Sequence, residues 1–435
     1  MKTLYIFILI CLFAGCASKS DVVDSSTLNN KVMCGYQGWF TAPGDENKFD
    51  SWIHWAIRGS ELSSSNLAFD MYPDISEFDD AELFPTKMTM NGTNAFLYSG
   101  RTYKTINRHV KWMKEYGIDG IFAQRFITNI EGDSDYAKHI KTVGRNLLKS
   151  CEEYGRVFAV MYDISGAKES NFWDVIKDDW TNIVNSGMTK NSRYLKHNEK
   201  PVVALWGFGF KNGVHPPTNP AVAKAIIDWF KTNAPTKYRA TVLGGVPAFW
   251  RTLGRDSRDE PAWTKVYRSF DIISPWTVGR YNNETTADTW KKTNIIPDLK
   301  ETKHYGINYL PVIFPGFSWL NLKGVQKNVI PRNGGKFFWR QAYNAISADC
   351  NMIYVAMFDE VNESTAIYKV APTAKQTPDQ GYWLTLDADG YSLPSDWYLR
   401  LTGDVGKMLR HEIPVTPMIP KNPGCNQQSN NPIIQ

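Results

Sequence analysis

Three carboxylates stand within five residues in the stretch Met357-Phe358-Asp359-Glu360-Val361-Asn362-Glu363-Ser364-Thr365. They follow an apolar run, Met352-Ile353-Tyr354-Val355-Ala356, that reads as a buried strand. A buried strand has no structural use for Glu360 and Glu363. At the carboxyl end of a strand in a barrel or an open parallel sheet, they occupy the edge where α/β folds carry their chemistry. A spacing of three puts both side chains on one face of a turn, with Cβ atoms roughly 5–6 Å apart. Two carboxylates that close do not both ionise easily, so one can donate a proton while the other accepts one. Such a pair is suited to general acid/base work on a glycosidic bond. The alternative is an acidic helix start, with Asp359 bonded to backbone amides.

The elements that must hold this pair are legible as alternating periodicities. Apolar strand patterns fall at 32–40, 118–126, 157–163, 201–207, 240–247, 270–275, 307–314 and 352–358. Helical patterns follow at 105–116, 136–154, 173–185, 220–232, 261–268, 289–304, 335–348 and 395–410. Eight such units predict an α/β chain with a single (β/α)8 TIM barrel over residues 31–412. A doubly wound sheet is the alternative, since alternation alone does not close a barrel. The first strand and its helix are separated by residues 41–104, a long loop of the kind that tends to be functional. It is expected to lie over the catalytic face.

The strand ends supply candidate binding residues. Tyr36 and Trp39 end the first strand, and Trp52, His54 and Trp55 lie in the long loop. Arg125 ends the second strand, Tyr162 and Asp163 the third, and Trp206 the fourth. Trp250 follows the fifth strand, and Trp276 and Arg280 follow the sixth. With 16 Trp, 21 Tyr and 22 Phe in the chain, aromatic faces are abundant beside polar groups, and sugar rings stack on such faces. The arginines could bind hydroxyls or an anionic group on a sugar; the plainer reading is that they pair with Asp163, Asp359 or other acids and hold the site in shape.

Other classes are disfavoured. The net charge of +5 is diffuse, without a Lys/Arg run, so nucleic acid is not an expected partner. No CxxC or His/Cys spacing marks a metal site, and neither a metal nor a cofactor is expected. Cys34, Cys151 and Cys350 sit in apolar contexts and read as buried thiols. At the amino end, residues 1–15 read as a signal peptide: Lys2, then an apolar core from Leu4 to Phe13 too short to span a bilayer. Ala14-Gly15-Cys16 resembles a bacterial lipoprotein signal, which implies lipidation of Cys16, a membrane anchor and a place in the cell envelope; an ordinary secretory signal is the alternative. Residues 16–30 read as a flexible tether and 413–435 as a mobile tail.

Residues 358–365, Phe-Asp-Glu-Val-Asn-Glu-Ser-Thr, resemble the Glu-x-x-Glu-Gly-Thr motif at the last strand of glycoside hydrolase family 99, the endo-α-mannosidases. Gly35-Tyr36-Gln37-Gly38-Trp39-Phe40 and Trp52-Ile53-His54-Trp55 look like that family's aromatic first strand and Trp/His loop. Tyr116-Gly117-Ile118-Asp119-Gly120-Ile121 resembles the start of the second strand shared with family 71, the α-1,3-glucanases, and the whole is similar to bacterial family 71/99-like lipoproteins. The resemblance implies endo-acting, retaining hydrolysis of an α-glycoside in a polysaccharide. It implies Glu360 as base on the substrate 2-hydroxyl and Glu363 as general acid/base. Ser364 stands where the family has Gly, and Val361-Asn362 where it has Trp-His. An α-1,3-glucanase, or a non-catalytic glycan-binding lipoprotein on the same barrel, is the alternative.

Overall fold

The structure is a computed structural model that describes residues 22–46, 48–57, 61–216 and 218–420. Cys16, the 1–15 segment and Cys425 lie outside the described residues.

Eight parallel strands form the core: β1 (Val32–Tyr36), β2 (Gly120–Phe126), β3 (Val157–Asp163), β4 (Lys200–Trp206), β5 (Thr241–Val246), β6 (Ile272–Pro275), β7 (Asn308–Tyr309 and Val312–Ile313) and β8 (Ile353–Val355). They pair in chain order. β7 is split at Leu310-Pro311, where the proline ring offers no N–H to a ladder. Its first half pairs with β6 and its second half with β8. β8 returns to β1 in the register Val32↔Ile353 and Cys34↔Val355, which closes the barrel. Strands buried on both faces read as the near-continuous apolar runs seen in the sequence; every residue of β1, β3, β5, β6 and β8 is buried.

The outer ring comprises α1 (Tyr103–Glu115), α2 (Asp135–Tyr154), α3 (Phe172–Asn185), α4 (Pro220–Asp228), α5 (Trp263–Tyr267), α6 (Glu284–Trp290, running on through Lys291–Ile295 into Ile296–Tyr305), α7 (Lys336–Ile346) and α8 (Trp397–Leu409). Their starts carry polar caps: Thr102 accepts from Thr105 N, Ser134 from Ala137 N, and Asn219 from Ala221 N, with Pro220 just inside α4. The first βα loop contains an antiparallel hairpin, Leu83–Met90 with Thr93–Tyr98. Glu82, at the foot of the hairpin, bonds Arg108 of α1. The loop thus lies partly beside α1, and the segment around residues 53–57 with Ala68 is the part that reaches the cleft described below.

The described ends are packed against the domain. Val23 N donates to Gly155 O at 2.8 Å, Lys196 N to Ser25 O at 2.7 Å, and Leu28 is fully buried. At the other end, Trp339 Nε1 donates to Thr416 O at 3.0 Å, and Ile413, Val415 and Ile419 lie against the core. The expected tether and tail are therefore bound chain over 22–30 and 413–420, because each places apolar side chains on the barrel. Cys34, Cys151 and Cys350 are buried free thiols.

Candidate active site

β8 ends at Val355, and residues 357–368 fold back over the carboxyl end of the barrel. Met357 N donates to Thr365 O, Ile367 N to Met357 O, and Tyr368 N to Phe358 O, at 3.0–3.2 Å. Phe358 N reaches Gly35 O of β1 at 2.8 Å. Asp359 completes the link to the first strand: its Oδ1 accepts from Gln37 N at 2.8 Å and its Oδ2 from Gly38 N at 2.9 Å. Burial pushes this carboxyl up to about 6, against the pull of those two donors. Asp359 is thus bonded to backbone amides, but those that directly follow β1 rather than those of a helix start. Arg332, ahead of α7, holds the other side of the turn: its Nη2 donates to Ser364 O at 2.8 Å and to Ala366 O at 2.7 Å, with the guanidinium 4.4 Å from the Tyr398 ring centre. Asn362 Nδ2 donates to His54 O and Ala68 O at 2.6 and 2.9 Å, tying the turn to the long first loop.

This frame presents Glu360 and Glu363 to a shared cleft. Glu360 is 6% exposed, and Glu363 is partly exposed. Burial, then the charge of Glu363, pushes the Glu360 carboxyl well above the usual range, and a bond from the Gln37 side chain works the other way. Burial pushes Glu363 up to about 7, opposed by Lys323. The Tyr354 phenol, on β8, is raised by burial and then by the Glu360 charge. Two acids lining one cleft, both raised, retain a proton near neutral pH, the state that acid/base chemistry needs.

The cleft has two lobes that share Trp39, Glu360 and Glu363. One, of about 440 Å³, is walled by Ile53, His54, Ala56, Ile57, Ala68, Leu322 and Asn362. The other, of about 360 Å³, is walled by aromatic and polar groups: Gln37, Gln124, Phe126, Asp163, Ser165, Trp206, Phe210, Asn212, His215, Trp276 and Arg280, with Met357. Trp39 stacks on His54 at 3.9 Å and on Phe126 at 5.5 Å. Trp206 meets Trp276 edge-on at 5.0 Å. Gly245 makes room for that wall, since a Cβ there would overlap the Trp206 indole. His215 stacks on Phe210, places Nδ1 3.0 Å from Asn212 Oδ1 and Nε2 3.0 Å from Ser165 Oγ. Burial lowers its pKa to about 4, so the ring is neutral. Burial raises Asp163 to about 6, against its bonds from Ser165. Gln37 Oε1, Gln124 Oε1 and Trp39 Nε1 are buried polar atoms on the cleft residues without a partner among the described residues. A hydroxyl-rich ligand supplies partners for such atoms. Among the described residues, no cluster of three His, Cys, Asp or Glu could hold a metal ion.

Of the residues expected from the sequence, Trp39, His54, Asp163, Trp206, Trp276, Arg280, Glu360 and Glu363 line the cleft. Tyr36, Trp52, Trp55, Arg125, Tyr162 and Trp250 do not line either lobe. Strand parity explains three of these six misses, Tyr36, Arg125 and Tyr162. Arg125 and Tyr162 are register partners and point outward to α3, where Asp179 takes Arg125 Nε and Nη2 and the Tyr162 hydroxyl, each at 2.8 Å. Tyr36 also points outward and bonds His109 of α1 at 2.9 Å. Trp250 Nε1 donates to Asp298 at 3.2 Å, and Arg251 Nε pairs with the same carboxylate at 2.8 Å. Trp52 and Trp55 are buried in the packing of the first loop, where Trp55 Nε1 donates to Tyr98 O. Arg280 is both wall and support: it pairs with Asp256 at 2.7 Å, whose carboxylate also accepts from Ala248 N and Phe249 N. The cleft residues that the sequence reading missed include Gln124, Phe126, Ser165, Asn212 and His215. Alternation along β2 carries the signal for the first two, because a strand that sends Arg125 outward sends Gln124 and Phe126 inward.

The chain is thus a closed (β/α)8 barrel with a glutamate pair on its carboxyl face. Among solved structures it is similar to the family 99 endo-α-mannosidase of Bacteroides thetaiotaomicron, in complex with bis-tris propane, with a TM-score of 0.63 and 16% identity over 89% of this chain and 99% of that one. A second structure of that enzyme gives the same TM-score and identity over 88% of this chain. A structure described as a glycoside hydrolase-like protein follows at TM-score 0.53 and 14% identity, covering 89% of this chain and 97% of its own. These likenesses establish the shared barrel. No family model matches the chain, and no curated protein does.

Proposed function

We propose that this protein is a glycoside hydrolase that cleaves α-mannosidic or related α-glycosidic bonds inside a polysaccharide, with retention. The observation that carries the reading is the placement of Glu360 and Glu363 where the two lobes of one cleft meet. A chain that occupies both lobes has its internal bond beside the carboxylates, as an endo-acting enzyme requires. The structures that share the barrel at a TM-score of 0.63 are of an endo-α-mannosidase, which supports the same class of substrate.

In this reading the raised pair shares one proton near neutral pH; Glu363 carries it to the leaving glycosidic oxygen, which leaves Glu360 ionised as the base. Glu360 takes the proton of the sugar's 2-hydroxyl as that oxygen attacks the anomeric carbon and forms a 1,2-anhydro ring. Water, deprotonated by Glu363, then opens the ring at the anomeric carbon, and Glu360 returns its proton to O2. Two inversions give net retention without a glycosyl ester, so the usual carboxylate separation of retaining enzymes does not apply. Trp39, Trp206 and Trp276 offer faces for sugar rings, and Gln37, Gln124 and Asp163 offer partners for hydroxyls. The Ala14-Gly15-Cys16 run supports, as part of the same reading, a lipid anchor at Cys16 in a bacterial envelope.

Mass spectrometry of products from α-mannans, α-1,3-glucan and acidic or sulfated polysaccharides tests the assignment, with Glu363→Gln beside the wild type. Oligosaccharides from one substrate, absent with the variant, are expected. Binding without products in the wild type would replace the hydrolase by a glycan-binding protein, and undiminished products from the variant would remove Glu363 from its role.

A further inference from the structure

The two lobes differ in chemistry in a way that glycan binding alone does not require. We propose that the lobe beside Leu322 is a subsite for a sugar carrying an apolar substituent, either an O-acyl ester or the methyl group of a 6-deoxy sugar; this rests on the reading of the cleft as a glycan site. Its described wall is Ile53, Ala56, Ile57, Ala68 and Leu322, contributed by the first loop and the loop after β7. Beyond Trp39, Glu360 and Glu363, which both lobes share, the polar groups on this side are His54 and Asn362, whose Nε2 and Nδ2 are engaged elsewhere. His54 Nε2 is 2.8 Å from Tyr136 Oη, and Asn362 Nδ2 donates to two backbone carbonyls. Asn362 Oδ1 is the one buried orphan acceptor of these residues. The opposite lobe holds Gln37, Gln124, Asp163, Asn212 and Arg280, so hydroxyl recognition has an obvious seat there.

Ile57 is 38% exposed and belongs to a short set of large apolar side chains left facing solvent among the described residues. Leu322 is partly exposed as well. A sugar hydroxyl directed at this wall exchanges water for carbon and loses hydrogen bonds. An alkyl group there gains by leaving water, by about fourfold in affinity per buried methylene. The lobe is continuous with the glutamates through Trp39, so the substituent belongs to a sugar next to the bond that is cut. With about 440 Å³, it has room for a four-carbon chain beside part of a sugar ring.

Equilibrium binding of butyl α-mannoside and methyl α-mannoside to the wild-type protein, read by calorimetry, tests the lobe directly. At least a tenfold advantage for the butyl glycoside is expected. Ile57→Asn with Leu322→Asn, at an exposed and a partly exposed position, should reduce that advantage below threefold. Equal affinities in the wild type, an advantage that survives the double substitution, or no binding of either glycoside would overturn the proposal. The polysaccharide panel reads the hydrolase assignment separately: butyl selectivity with no product from any polysaccharide counts against that assignment and leaves the apolar subsite standing. Cleavage of O-acetylated α-mannan against the same mannan after alkaline de-esterification separates the two sources. A faster rate on the acetylated form names the ester, and equal rates assign the lobe to the 6-deoxy methyl.

Discussion

Glu363→Gln should make the protein more stable at alkaline pH while abolishing turnover. Burial raises the Glu363 carboxyl from the usual 4.5 to about 7. The native state therefore binds more protons than the unfolded chain between those two values, and stability falls as pH rises through that window. Below about pH 4.5 the group is protonated in both states and contributes nothing; above about pH 7 it is ionised in both, and the full penalty is present. A rise of roughly 2.5 units corresponds to about 3 kcal/mol. Gln keeps the shape of the acid without its charge, so the variant should exceed the wild type by about this amount at pH 8 and match it at pH 4. With an unfolding entropy of about 2.1 cal/mol/K per residue over roughly 400 residues, the gain at pH 8 is a rise in Tm of roughly 3–4 °C. Paired thermal melts at pH 4 and pH 8 measure it. A variant with the wild-type Tm at pH 8, or one destabilised equally at both values, would refute the view that this carboxylate sits in a site built to disfavour its charge.

Three further substitutions test the frame around the pair. Asp359→Asn replaces an acceptor that takes two backbone N–H groups with an amide that sets donor against donor; kcat should fall at least tenfold with little change in KM, and stability by roughly 2 kcal/mol. Arg332→Met leaves Ser364 O and Ala366 O without their donor, so a loss of roughly 2–4 kcal/mol in urea unfolding is expected, together with loss of activity. Ser364 has φ +55° and a buried hydroxyl with no partner among the described residues, so Ser364→Gly should raise stability by about 1 kcal/mol, and destabilisation would show that the serine is not strained there.

The barrel was legible because its strands are buried on both faces and its helices carry caps and amphipathic periods, both local properties of sequence. Each of the eight strand patterns overlaps an observed strand, including β7, whose Pro311 interrupts the ladder without breaking the apolar run. The glutamate pair was legible for the same reason: acids directly after a buried strand have no place in packing. The wall of the cleft was read less well. An aromatic or arginine at a strand end looks the same whether it faces the barrel axis or the helices, and a shift of one residue decides which. Arg125 and Tyr162 fell on the helix side and Asp163 on the cleft side. Applying alternation outward from Asp163 would have excluded Tyr162, and its register partner Arg125 with it. Trp52 and Trp55 were beyond such an argument, because an irregular loop has no period to betray its inner face. Nor could Ser165, Asn212 and His215 be read as a group, since their bonds depend on how two loops meet.

The bond between Asp359 and the amides of Gln37 and Gly38 joins residues more than 320 positions apart. Contacts of that separation form only after most of the chain is available, and they carry the entropy of closing a very long loop. A nascent or partly folded chain can build helices and central strands yet has nothing that orients Glu360. The turn that carries Glu360 and Glu363 is therefore a seal between the first and last strands of the barrel. If the proposed hydrolase reading holds, competence is a property of the finished barrel, and a chain still being synthesised is silent toward any glycan it meets.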